Sequence, residues 1–209
     1  MNDEESLYKV LVLGDVSAGK RSLILKFTDD SFFQNGNALY SVTNIRTVEL
    51  NGVNVKFYIT NNTSQERFRP VTKEFFPDLH GIIVVYDVTN NYSFEYCLST
   101  VSQIAALQPP DNFGLLVIGT KCDLNNERMV EVSRAKTEVE KHGFTLFETS
   151  AKTGENVDGA FLFLAEEFLQ RPGNSVKNAN TAIANLEIDE TPVETAKHHK
   201  EENKSCTCM

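Results

Sequence analysis

The run Gly14-Asp15-Val16-Ser17-Ala18-Gly19-Lys20-Arg21-Ser22 points to one ligand class, phosphate. It nearly fits G-x-x-x-x-G-K-[ST], a loop whose backbone N–H groups cradle phosphate oxygens. Gly14 permits a tight turn, Gly19 lets the backbone come close to the ligand, and Lys20 brings a point charge. Amides at the start of the following helix add fixed positive dipoles. The departure lies directly after the lysine. The pattern places an Mg²⁺-binding hydroxyl there, and this chain has Arg21, with Ser22 one residue further on.

Two later stretches choose a base. Thr120-Lys121-Cys122-Asp123 follows one apolar run, and Glu148-Thr149-Ser150-Ala151-Lys152 follows another. The Asp123 carboxylate can accept two hydrogens, from guanine N1 and from its exocyclic amine. Adenine offers no such donor pair there, so one bidentate contact separates the purines. Lys121 can lay its aliphatic stem along the base plane. The backbone N–H of Ala151 can serve the O6 acceptor.

These groups need elements that bring them to one place. Val10-Leu11-Val12-Leu13 before the phosphate loop and Leu23-Ile24-Leu25-Lys26-Phe27 after it read as strand, loop and helix. Residues 28–44 are polar and lack a period. Runs at 45–50 and 53–60 flank Asn51-Gly52, the strongest short hairpin signal. Residues 61–80 read as loop. The continuous apolar runs at 81–87 and 115–119 predict strands buried on both faces. A helix is expected over 93–107, stopped by Pro109-Pro110, and another from an N-cap at Ser133 to near Gly143. Residues 144–147 form a short strand. Val157, Ala160, Phe161, Leu164, Ala165 and Phe168 make a helical stripe that faces the core. The alternation predicts an α/β fold with a doubly wound, mostly parallel six-stranded sheet, the hairpin supplying one antiparallel strand. Ligands of such sheets lie beyond the carboxyl ends of the strands, where the phosphate loop and the segments after Asp87 and Gly119 fall.

Composition narrows the class. The chain has 209 residues, suited to one domain plus an extension. Its 20 basic and 29 acidic residues leave a net charge of −9, against a general nucleic-acid binder, which needs a basic face. It shows no apolar run long enough for a spanning helix and no signal-peptide layout at its acidic start. A cytosolic chain is expected. Its four cysteines then form no disulfide framework.

Taken in order, these motifs resemble the small GTPases of the Ras superfamily, and the Rab branch within it. The resemblance rests on residues 14–20, Gln65-Glu66-Arg67-Phe68-Arg69, residues 81–89, Thr120-Lys121-Cys122-Asp123-Leu124 and residues 148–152. The run at 45–50 and Phe75-Phe76 are Rab-like. It spans about residues 8–171, read as a Rab-like GTP-binding domain between an N-terminal extension, 1–7, and a disordered tail, 172–209. It implies the small-GTPase fold, GTP and GDP as ligands, and a monomer. It also implies effectors, an exchange factor and a prenyl-carrier protein as partners, at cytosolic faces of membranes in vesicle traffic. Thr120 stands where the family has asparagine.

The resemblance also implies an Mg²⁺ site that this chain alters. The three ligand positions are Arg21, Ala38 and Asn61, in place of a loop hydroxyl, a switch-I threonine and a switch-II aspartate acting through water. Ala38 comes from aligning back from Ile45-Arg46-Thr47 through a stretch one residue short, so the nearby hydroxyls of Ser41 and Thr43 stay open for that position. Ser64 replaces the glycine whose N–H meets the γ-phosphate, while Gln65 matches the water-positioning glutamine. Arginine for a hydroxyl adds one positive charge and asparagine for a carboxylate removes one negative charge. The gain equals the charge of the ion. The expectation is that the Arg21 guanidinium takes part of the metal's place, with hydrolysis slow or absent. A second reading is a non-hydrolysing scaffold that recruits partners whatever its nucleotide.

The chain closes on Cys206-Thr207-Cys208-Met209. Two readings stay open. As C-a-a-X ending in methionine it favours one farnesyl group on Cys206. As the paired cysteines of Rab tails, Cys206 and Cys208 take two geranylgeranyl groups. One chain anchors only marginally, and residues 173–205 carry four lysines against six acids, so the tail supplies no basic second signal.

Overall fold

A computed structural model describes residues 5–32, 43–61, 71–171 and 176–177. The strand β1 (Glu5–Gly14) runs through the middle of the sheet and delivers the chain into helix α1 (Lys20–Asp29). The hairpin strands β2 (Thr43–Leu50) and β3 (Val53–Asn61) follow. Asn51 and Gly52 both take positive φ, 54° and 77°, as a two-residue turn matched to strand twist requires. A short 3-10 turn, Lys73–Asp78, leads to β4 (Gly81–Asp87) and α2 (Asn91–Ala106). Then come β5 (Gly114–Thr120), α3 (Val132–Glu140), β6 (Thr145–Thr149) and α4 (Val157–Gln170). The strand order is β2-β3-β1-β4-β5-β6, parallel except for β2. This is the doubly wound α/β sheet that the alternation of runs implies. One further pair, β7 (Val176–Lys177), lies antiparallel to β1 at Leu7 and Ser6. No sequence period announces it.

Three local details differ from the sequence expectation. Helix α2 starts two residues early because Asn90 caps it, its Oδ1 accepting from the N–H groups of Tyr92 and Ser93. Ser133 is not a cap. Glu131 holds that place without a side-chain bond, and Ser133 lies inside α3. The last strand runs to Thr149 rather than Phe147.

β4 and β5 are buried along their whole length, so their side chains feed two cores. Ile83 and Val85 point to the layer of α1 and α4, while Ile82, Val84 and Tyr86 point to the layer of α2 and α3. The stripe on α4 is core, as its spacing implies. Phe161 stacks on Phe27 of α1 with centroids 3.7 Å apart, and Phe57 meets both rings edge-on. This cluster anchors the helix that carries the phosphate loop. Phe161→Ala therefore lowers the unfolding free energy by about 3–5 kcal/mol, read by urea titration. A loss under ~1 kcal/mol means that the stack does not hold α1 in place.

His80, directly before β4, is bonded to Lys9 in the middle of β1. The Lys9 N–H donates to His80 Nδ1 at 3.0 Å, and the His80 N–H donates to the Lys9 carbonyl at 2.8 Å. Nδ1 must be unprotonated to accept. Burial, helped by the nearby Lys9 charge, lowers the imidazole pKa from 6.5. The unfolded chain thus takes up this proton first. The contribution is complete above ~6.5 and is lost as pH falls below it. The expected result is that the wild type loses more stability than His80→Gln between pH 7.5 and 5.5. Parallel losses in urea titrations at the two pH values contradict it.

Candidate functional site

The phosphate loop hangs from a strand bonded on both sides. β1 pairs β3 up to Val12↔Asn61 and β4 up to Gly14↔Val85, so loop and neighbours share one rigid frame. Gly14 is required by that frame rather than by a turn. A Cβ there would stand 2.4 Å from the Val85 carbonyl oxygen. Asp15, Val16 and Ser17 form the outer loop, with Val16 and Ser17 exposed and Ser17 at φ 65°. Ala18 is buried beneath them. Gly19 takes φ 83° as the residue before α1, where a Cβ would sit 3.1 Å from Thr120 Oγ1. Lys20 opens the helix, and its Nζ donates to the carbonyls of Gly14 at 2.9 Å and Asp15 at 2.6 Å. A cation is thereby fixed across the loop mouth, beside the first helical amides.

The base-reading residues converge on a cavity of about 270 Å³. Gly19, Ser22, Thr120, Lys121, Asp123, Ala151 and Lys152 line it, all singled out by the sequence. Drug-sized ligands occupy ~300–1,000 Å³, so this space suits one base, with phosphates lying outside along the loop. Ser150 Oγ donates to Asp123 Oδ1 at 2.6 Å and accepts from the Thr153 N–H at 3.1 Å. The carboxylate is oriented by one bond and keeps lone pairs for two more. Its neighbour Cys122 donates its N–H to the Thr149 carbonyl at 3.1 Å, which joins the two base-reading segments. Burial first, then Glu155, pushes the Cys122 thiol up to about 11, so it stays neutral and is no nucleophile.

Lys121 is held at φ 63°, and its Nζ donates to Asp87 Oδ2 at 2.5 Å. The other oxygen of buried Asp87 accepts from the Thr89 N–H and hydroxyl. The lysine charge is thus pinned at the end of β4, and its stem is left to cover a base. Arg128 and Glu148 form a bidentate pair at 2.9 and 2.8 Å that clips the base-reading loop to β6. Thr120 ties the two halves of the site together. Its hydroxyl lies 2.7 Å from the Ala18 carbonyl and 3.0 Å from that of Tyr86.

Sequence reasoning missed Phe32 and Leu124, which complete the cavity wall. Leu124 was legible, since it directly follows Asp123. Phe32 was not, since it lies in a polar stretch without period. It remains 38% exposed, an aromatic face open toward a ligand.

The metal positions behave differently. Arg21 lies half-buried in the first turn of α1, and Asn61 ends β3 beside Val12. Neither lines the cavity. A guanidinium is a cation without an acceptor, and a neutral amide is a weak ligand for a hard divalent ion. Among the described residues no group of three His, Cys, Asp or Glu converges to hold a metal. At these two described positions the side chains supply neither a carboxylate nor a hydroxyl to Mg²⁺. Ala38, Ser64 and Gln65 lie outside the described residues, as do Cys206 and Cys208. The model of the Ras family matches residues 9–170 of the chain.

Proposed function

The chain belongs to the Ras family, and from that premise we propose that it is a Rab-like guanine-nucleotide-binding protein of vesicle traffic that holds its nucleotide without Mg²⁺. One observation carries the nucleotide reading. Asp123, oriented by Ser150, faces the same cavity as Lys121 and Ala151, next to the loop of Lys20. Lys20, Ser22 and the loop amides take the phosphates, and Asp123, Lys121 and Ala151 read guanine. The test is the nucleotide that copurifies with the full chain. GDP or GTP at near one equivalent is expected. An adenine nucleotide, or none after reconstitution with GDP, overturns the reading.

The Rab assignment is supported by Ile45-Arg46-Thr47-Val48-Glu49-Leu50, Phe75-Phe76 and the paired Cys206 and Cys208. It entails prenyl anchoring to the cytosolic face of a membrane, with effectors, an exchange factor and a prenyl carrier as partners. Two geranylgeranyl groups fit stable anchoring better than one farnesyl, because the tail offers no basic second signal. Intact mass of the cellular protein counts them, and an unmodified tail overturns the anchor.

Hydrolysis is slow in this reading. Metal ions normally neutralise the charge that develops on the phosphates, and Gln65 alone cannot replace that. A multiple-turnover phosphate-release rate equal to that of ordinary family members would falsify it. Arg21, Ala38, Asn61 and Ser64 together favour a second reading, a scaffold whose partners bind regardless of nucleotide. Without differential contacts to the γ-phosphate, the two nucleotides shift no equilibrium. Partner binding by GTP-loaded and GDP-loaded protein separates the readings.

A further inference from the structure

At the ends of the strands opposite the phosphate loop lies a second cavity, of about 500 Å³. It opens where β4 and β5 begin, between the 3-10 turn at Lys73–Asp78 and the connection from α2 to β5. Its volume falls in the ~300–1,000 Å³ range of small-molecule sites. Phe76 and Phe113, edge-on with centroids 5.0 Å apart, form an apolar wall with Leu107. The polar lining is one-sided. In a chain with 29 acidic residues no Asp or Glu lines this cavity, although Glu74, Asp78 and Asp111 are sequence neighbours of residues that do. Lys73 can only donate. His80 is fixed as a donor too. Its Nδ1 accepts from the Lys9 N–H at 3.0 Å, so in the neutral ring Nε2 carries the proton. Among the described residues no acceptor takes that proton. A half-buried N–H of this kind calls for an acceptor from outside the chain. The rim is strained. Gln108 takes φ 53° although Pro109 follows it, and a proline drives the residue before it to extended backbone. Such outliers gather at ligand sites.

We propose that this cavity is a second ligand site, for a small monocarboxylate with an aromatic or branched apolar body. The body lies on the phenylalanine wall, and the carboxylate takes the protons that Lys73 and His80 offer. The site shares no lining residue with the nucleotide cavity. The probes are phenylacetate and its neutral amide, phenylacetamide, each titrated into the full chain and followed by amide NMR. Phenylacetate should saturate at low-millimolar concentration or below, shifting the amides of Leu107 and Phe113. Phenylacetamide should bind roughly 10-fold or more weakly, because a charge-assisted hydrogen bond is worth about that factor. Lys73→Gln, at an exposed position where folding is not at stake, should remove most of the acid's advantage and leave the amide's affinity as it was. Equal affinities for acid and amide overturn the assignment. So do shifts that stay linear in phenylacetate up to its solubility limit, or a Lys73→Gln chain that binds the acid as well as wild type does. Shifts centred on Lys121 and Asp123 overturn it as well, since they place the probe in the nucleotide cavity.

Discussion

Asp123→Ala is expected to lower GDP affinity at least ~100-fold and to abolish the preference for GDP over ADP. Hydrogen bonds to a charged partner contribute about 1.5–3 kcal/mol each, and guanine makes two to this carboxylate. Together they are worth about 3–6 kcal/mol, or roughly 10²–10⁴ in affinity. ADP never had them, so its weak binding changes little and the ratio collapses. The fold should survive, because Asp123 is half-buried and its one side-chain partner, Ser150, keeps its bond from Thr153. Asp123→Asn is nearly as damaging despite its shape, since its amide N–H₂ meets a base edge that also donates. Fluorescence titration with labelled GDP and ADP reads the ratio. A GDP affinity within threefold of wild type would mean that the base is not held at this cavity.

Chelating divalent metal with EDTA is expected to leave wild-type nucleotide affinity within ~3-fold, while Arg21→Ala lowers it about 100-fold with or without Mg²⁺. Arg21 stands next to Lys20 in the first turn of α1, where helix amides already favour an anion. A guanidinium presents paired N–H groups that match two phosphate oxygens, and it cannot be deprotonated. Two charge-assisted bonds supply about 3 kcal/mol, or roughly 100-fold. A steep loss of nucleotide in EDTA contradicts the idea. So does an Arg21→Ala variant that binds normally.

What was legible in the chain, and what was not, follows from range. The phosphate loop, the hairpin turn at Asn51-Gly52 and the buried runs of β4 and β5 are local signals, carried by neighbours in sequence. The α4 stripe is local in the same sense, and its phenylalanines pack where the period puts them. Asp123 and Ser150 were singled out separately, but their bond joins two segments that only β5 and β6 bring together. The tie from Thr120 to Ala18 spans more than a hundred residues and depends on β1, β4 and β5 being adjacent. The same holds for Gly14, whose need for a hydrogen side chain comes from the Val85 carbonyl on another strand. Phe32 shows a different limit. An exposed aromatic contributes to no period, so only the assembled wall gives it meaning.

The position of β1 has one more consequence. Val10, Leu11 and Val12 are paired to β3 on one side and β4 on the other, whereas β2 is an edge strand. In deuterated solvent, amides of β1 should exchange only when the whole sheet opens, and those of β2 through local opening. A ligand that grips the loop at the end of β1 therefore reports its affinity far from itself. At a hundredfold excess over its dissociation constant it adds about 2.7 kcal/mol to global stability. That gain slows exchange across the central strands and barely touches the hairpin edge. Occupancy of the site can thus be read as a time, from protons that never meet the nucleotide.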